Sequence, residues 1–263
     1  MDFTKPDSIE QFESFLSREF GYINDYLDYY EVATKYLKES FENSAFWKSV
    51  EDLIGTFDDE YMILKKTALF SERKAPHIYI KSLKSLINKA FRKDVLQNPN
   101  YPDAPDNGWI HQSNWFETVG DILRTTIVVR YFDGVEFVMN KLSELAASHS
   151  LQFDKSFEAK EQGYYAVHTG VRIPLKTIDN HFQPIEVDMH VEIQITTQLQ
   201  SEIKELLHLY YERDRLKVEP VCSESERKWQ WDNECEEFNV NYLGHTTHFL
   251  EGLIVSMRDK QNQ

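Results

Sequence analysis

The sequence is poor in several things, and each shortage excludes a class of protein. Two cysteines among 263 residues are too few for a disulfide-built secreted scaffold. No apolar run approaches the ~18 residues that cross a bilayer, and no basic start leads into an apolar stretch as in a secretory leader. The expectation is a soluble, cytoplasmic protein with no membrane partner. Basic residues are also in deficit: 29 Lys and Arg stand against 44 Asp and Glu, for a net charge of −15. The chain as a whole therefore repels phosphate backbones and anionic lipid surfaces, and any nucleotide chemistry must use a local basic pocket. What the sequence does have is core material, with 41% hydrophobic and 14% aromatic residues, which excludes disorder throughout. At ~150 residues per domain this is one large domain, or one domain with a helical appendage.

Proline is absent from Ser8 to Leu69. Over that stretch Phe12, Phe15, Leu16, Phe20, Ile23, Leu27 and Tyr30 recur at steps of three and four, which predicts two or three amphipathic helices. Pro76 ends the pattern, and residues 77–80 read as a short strand feeding a lysine-rich helix over 81–93. The proline-rich run 98–107 reads as a loop. Residues 122–131, ILRTTIVVRY, are rich in β-branched side chains and predict a buried strand, followed by a helix over 134–147. Strands are then expected at 165–173 and 185–196, joined by a turn at Asp179-Asn180. The second strand alternates, with Val187, Met189, Val191, Ile193 and Ile195 on one face and Asp188, His190, Glu192, Gln194 and Thr196 on the other. A helix over 198–213 follows. The expected organisation is an N-terminal helical segment (1–70), an α/β domain (71–215) and a C-terminal helical extension (216–263).

Two carboxylates stand where strands expose them. Asp121 opens the 122–131 strand after Gly120, and Glu192 lies on the polar face of an otherwise apolar strand. In one mixed sheet they could share a divalent cation, as carboxylates do in phosphoryl-transfer sites; each also fits a solvated edge position. Arg73, Lys74, Lys81, Lys84, Lys89, Arg92 and Lys93 form a basic cluster against the acidic background. A helix N-terminus dressed in lysines suits a polyphosphate, and a solvated helix face is the other reading.

Motif order separates these readings. KEQGYYAVH (160–168) carries Lys160, Gly163, Tyr164 and His168; EIQITT (192–197) is followed by His208; DILRTTI begins at Asp121; and Tyr79, Lys81, Ser85 and Lys89 keep the spacing R-x-K-x-x-x-S-x-x-x-K with tyrosine in place of arginine. The set, from roughly Tyr79 to His208, resembles the synthetase domain of the RelA/SpoT family, pyrophosphokinases that make the alarmone (p)ppGpp, and in particular its small alarmone synthetases. The resemblance implies an α/β fold with a mixed central sheet of about five strands flanked by helices. It also implies Mg²⁺ held by Asp121, with Glu192 as a second ligand or as the base for an attacking ribose 3′-hydroxyl. It further implies ATP phosphates on Lys81, Ser85 and Lys89 and adenine stacked by Tyr79. The acceptor base would stack on Tyr164, and Lys160 and His168 would face acceptor phosphates or sugar. Gln194 would support the carboxylate strand, and His208 would pack from the following helix; His168 and His208 also fit hydrogen-bonded core histidines.

Two family arginines are missing, replaced by Thr126 and Thr196, and threonine cannot form a bidentate phosphate clamp. Arg124, on the same strand face as Thr126, is the candidate substitute. Three functions remain open: transfer of pyrophosphate from ATP to GDP or GTP; transfer to the 3′ CCA end of tRNA, as in toxic members of the family, which would imply an antitoxin partner; and an inert nucleotide-binding regulatory module. No His-Asp dyad of the family's hydrolase half occurs in the sequence. In the tail, Cys222, Cys235, His245 and His248 have donor types suited to zinc without a tight knuckle spacing. Trp229, Trp231, Phe238, Tyr242, Phe249 and Leu253 read as the apolar side of helices that close over the domain or form a homo-oligomer contact.

Overall fold

The computed structural model describes residues 5–21, 26–161, 163–204, 229–231 and 236–262. Its elements are α1 (Ile9–Phe20), α2 (Tyr26–Glu42), α3 (Ala45–Lys65), β1 (Tyr79–Ile80), α4 (Leu83–Phe91), α5 (Trp115–Thr118), β2 (Leu123–Val129), α6 (Phe132–Ser148), β3 (Gln152–Ala159), β4 (Tyr165–Ile178) and β5 (Pro184–Thr197). A helix α7 follows, described over residues 198–204, and α8 (Glu236–Gln261) comes last. The strands form one five-stranded sheet in the order β1-β2-β5-β4-β3, and the class is α/β, a mixed sheet flanked by helices. β1 runs antiparallel to β2 with Tyr79 opposite Arg124. The Asp179 carboxylate accepts from the backbone N–H groups of His181 and Gln183, closing the turn between β4 and β5.

The described residues fall into two compact units, each drawn from separated stretches of chain. The first comprises Met1–Lys48, His77–Thr125 and Gly170–Glu192. Here the predicted amphipathic spacing becomes packing. Ser8 caps α1 by accepting from Gln11 N–H, and Phe12 meets Phe91 of α4 with ring centroids 5.5 Å apart. Tyr29 and Tyr30 of α2 pack on Trp115 and Phe116 of α5, while Thr177 of β4 donates to the Ala33 carbonyl. Such helix faces draw most of their stability from burial of this kind. The second unit comprises Ser49–Pro76, Thr126–Thr169 and Ile193–Gln263. In it, Arg258 of α8 donates to Asp133 of α6 at 2.7 Å, and Tyr61 of α3 donates to the same carboxylate at 2.8 Å. Three helices are thereby joined through one acidic group.

As with the short helix α5, sequence reading misses the strand β3. Its residues QFDKSFEA are mostly exposed on both faces, so an edge strand carries no apolar alternation to betray it. α8 also departs from expectation. Tyr242, Phe249 and Leu253 are exposed, whereas Asn241, Thr247, Glu251 and Val255 are buried. Of the two expectations for Tyr242, Phe249 and Leu253, closing over the domain is therefore corrected, because α8 turns its small and polar side inward.

After α4 the helix widens into a π-helical turn, Arg92–Leu96, that carries a buried acid. Asp94 is 1% exposed and accepts from Ile110 N–H at 2.9 Å. Burial pushes its carboxyl up to about 7. A raised carboxyl contributes stability that is complete below its unfolded value near 4 and is lost as pH rises through about 7. Asp94→Asn keeps an acceptor for Ile110 and removes the charge. Thermal melts from pH 4 to 8 should show the difference between the two proteins shifting in the variant's favour as pH rises through that range, by on the order of 4 kcal/mol at pH 8. Parallel curves for the two proteins would contradict this.

Candidate functional site

The first unit gathers the phosphate-binding candidates around one carboxylate. Asp121 sits in the turn just before β2. Lys81 Nζ lies 2.9 Å from one of its oxygens and Lys89 Nζ 2.8 Å from the other. Lys81 is delivered by the β1-to-α4 junction, where its N–H donates to the Ile122 carbonyl at 2.8 Å and the Tyr30 hydroxyl of α2 donates to the Lys81 carbonyl at 2.7 Å. Burial alone pushes the Asp121 carboxyl up, but the hydrogen bonds and charges of Lys89 and then Lys81 outweigh it, and the net shift is below the ordinary aspartate value. Burial, followed by the Asp121 charge, pushes the Tyr30 phenol up. At working pH the cluster therefore holds an ionised carboxylate beside two ammonium groups.

Ser85 lies in the first turn of α4, where its N–H donates to the Ser82 hydroxyl, the N-cap, and the two hydroxyls pair at 2.9 Å. It is exposed at a helix N-terminus, as a phosphate contact requires. Tyr79 is 54% exposed and touches His77 edge to face. Its ladder partner Arg124 is exposed on β2, next on that face to the half-buried Thr126. Glu192 is half-buried on β5. Among the described residues no three His, Cys, Asp or Glu side chains converge on a metal position. A cation here would rely on one or two carboxylates plus substrate phosphates, which is the habit of Mg²⁺ and not of Zn²⁺. The Asp121 cluster fits it on those terms.

The second unit holds the glycine-tyrosine loop. The Gly163 N–H donates to the Lys160 carbonyl and the Lys160 N–H to the Tyr164 carbonyl. The Tyr164 hydroxyl lies 3.0 Å from His168 Nε2, and Lys160 Nζ stands 5.4 Å from the Tyr164 ring centre, a cation over a π-face. Gly163 has φ +76°, and a Cβ there would collide with the Asn241 carbonyl of α8; a Cβ on Gly244 would collide in turn with the Gly163 carbonyl. Two glycines thus let loop and helix backbones touch. His245 then bonds both ways, with Nδ1 2.8 Å from the Tyr165 hydroxyl and Nε2 2.9 Å from the Glu161 carbonyl, so both ring nitrogens are used and neither is left for zinc. Gln194 is buried and accepts from Lys204 of α7 at 2.8 Å, and Thr196 is buried two residues on.

The sequence candidates thus separate into Asp121 with Lys81 and Lys89, Tyr164 with Lys160 and His168, and Gln194 with Lys204. His208, Cys222 and Cys235 lie outside the described residues. Sequence reading missed Tyr30, whose hydroxyl lies among helix-face aromatics with nothing to mark it. It also missed the part of α8 in shaping the Tyr164 loop, although Gly244 within a helical run was a signal for close backbone approach. Gly163→Ala and Gly244→Ala should each destabilise the protein by on the order of 1–3 kcal/mol, read as a lower melting temperature. Unchanged melting would show that loop and helix do not meet.

No protein-family model matches the chain, and no curated protein does. Among solved structures it is similar to small alarmone synthetase 1 from Bacillus subtilis, at 18% identity and TM-score 0.52 over 82% of this chain and 94% of that one. It is similar to the same synthetase bound to its product pppGpp, at 17% identity and TM-score 0.52 over 97% of this chain and 100% of the other. Small alarmone synthetase 2 from Bacillus subtilis matches at 15% identity and TM-score 0.51 over 90% and 98%. The chain has the fold of the small alarmone synthetases.

Proposed function

We propose that the protein is a pyrophosphokinase that transfers the β,γ-pyrophosphate of ATP to the ribose 3′-hydroxyl of GDP or GTP. The observation that carries this reading is the Asp121 carboxylate held by Lys81 and Lys89, one negative charge flanked by two positive ones, in a chain of net charge −15. Lysine ammonium groups exchange one anionic partner for another readily, so phosphate oxygens of ATP can take the place of the carboxylate on Lys81 and Lys89. Asp121, with Glu192, would hold Mg²⁺, which when bound neutralises charge on the transferring phosphates. The fold is that of synthetases of which one is described with its product pppGpp, and that supports a guanine nucleotide as acceptor.

In the transfer, the acceptor 3′-oxygen attacks the β-phosphorus of ATP, the bond from that phosphorus to the α,β-bridging oxygen breaks, and AMP leaves with the bond's electron pair. The hydroxyl proton passes to a base, for which Glu192 is the candidate. Ser85 at the start of α4 receives donor phosphate oxygens, and Tyr79, exposed on β1, offers its face to adenine. Tyr164 offers its ring to the acceptor base. Lys160 above that ring and His168 at its hydroxyl present donors for acceptor phosphate or sugar.

A second acceptor has one observation in its favour. Thr126 and Thr196 stand where two phosphate-binding arginines are expected, which suits an acceptor without a 5′-diphosphate, such as the 3′ end of tRNA. The protein is incubated with γ-³²P-ATP and Mg²⁺ and offered GDP, GTP or deacylated tRNA separately. Label in the guanine nucleotide is expected; label on tRNA would move the acceptor to the second reading and imply an antitoxin partner. No label from folded protein would leave only a nucleotide-binding module. Asp121→Asn should lower turnover at least ~100-fold, and Tyr164→Ala should raise the acceptor KM about tenfold with a smaller change in kcat.

A further inference from the structure

His190 belongs to neither cluster, yet its ring occupies a space that two other residues have left open. It lies on β5, with Nδ1 2.8 Å from the Gly120 carbonyl oxygen. A carbonyl only accepts, so Nδ1 carries the proton and donates. A Cβ on Gly120 would stand 2.6 Å from this nitrogen, and a Cβ on Gly170, inside β4, would overlap the Nε2 edge of the same ring. Neither glycine has a positive φ, so backbone conformation does not call for glycine at either place. A glycine inside a strand costs roughly 0.5–1 kcal/mol relative to alanine. What both positions accommodate is the imidazole.

The residue after Gly120 is Asp121. It precedes β2 and is not held by the strand ladder, so its position depends on the peptides on either side. One peptide further on, the chain is fixed at the Ile122 carbonyl, which accepts from Lys81 N–H. The peptide before Asp121 is fixed at the Gly120 carbonyl, which accepts from His190. We infer that His190 is a positioning residue for Asp121: seated in the slot left by Gly120 and Gly170, its Nδ1–H holds the Gly120 carbonyl and so aims the carboxylate that Lys81 and Lys89 grip. The inference rests on the reading of Asp121 as the carboxylate of the donor side. It predicts that the slot and the ring act as one device.

A double-mutant cycle tests that coupling. Gly170→Ala should push the ring away from Gly120 without altering His190, and His190→Ala should remove it. Each should lower kcat by about tenfold or more while the acceptor KM stays within about twofold, as a small misplacement of a reacting group does. The double variant should be no worse than His190→Ala alone, because the added methyl then fills the emptied space. His190→Asn, whose side-chain N–H can still reach the Gly120 carbonyl, should recover most of the activity. Additive losses, or a His190→Asn protein as slow as His190→Ala, would overturn the inference. A readout independent of turnover is the imidazole NMR spectrum, where His190 should show a protonated Nδ1 hydrogen-bonded to the Gly120 carbonyl in the wild type and lose that bond in folded Gly170→Ala. If the wild type transfers nothing, the proposed function fails and this spectrum alone decides, an unprotonated Nδ1 being the overturning result.

Discussion

One ionised carboxylate between two ammonium groups is the constraint on which the candidate site depends. Asp121 is largely removed from water, and a buried carboxylate without partners would take up a proton instead of keeping its charge. Lys89 and Lys81 reverse that preference. Left uncompensated, either lysine would carry a similar penalty in the same place. The three groups are therefore mutually conditional, and much of the first unit can be understood as the means of bringing them together. β1 pairs with β2, so that the residue following β1, Lys81, arrives beside the residues that precede β2. α4 then places Lys89 two helical turns further on, on the same side as Lys81 and Ser85. Tyr30 closes the arrangement from α2 by holding the Lys81 carbonyl.

In the second unit the loop that carries Tyr164 is tied down by its own hydrogen bonds and by α8. Hydrogen bonds within residues 160–164 make it compact, but the fixed reference is α8. Gly163 and Gly244 bring two backbones together, and His245 ties the Glu161 carbonyl to the Tyr165 hydroxyl. The cost is visible along α8, which turns small and polar groups inward and leaves Leu250, Leu253 and Met257 exposed. Burial also pushes the inward-facing Glu251 carboxyl up.

Much of this was legible from the sequence, for physical reasons that differ between elements. α1 and α2 were legible because their buried residues keep helical spacing, and β5 because its faces alternate until both are covered near Ile193. Asp121, Lys81, Lys89 and Tyr164 were singled out through the motif resemblance, and the structure brings the two lysines onto Asp121. β3 was not, since an edge strand exposed on both sides has no pattern to read. His190 was seen on the polar face of β5 and given no role, because its meaning lies in Gly120 and Gly170, 70 and 20 residues away in sequence. The inward face of α8 was not legible, because its apolar residues fitted burial against the domain as well as a contact with another copy, whereas the close approach at Gly244 decides which side faces in. No helix among the described residues is long and apolar enough to cross a membrane, in keeping with the absence of apolar runs.

The chemistry of the leaving group tests the central claim most directly. Transfer of pyrophosphate releases AMP, whereas transfer of one phosphate, or simple hydrolysis, releases ADP. Chromatography of the adenine nucleotides after incubation with ATP, Mg²⁺ and GDP or GTP should show AMP formed in one-to-one proportion with acceptor consumed, and neither change with the Asp121→Asn protein. ADP with free phosphate, or AMP production that persists without Asp121, would contradict the account.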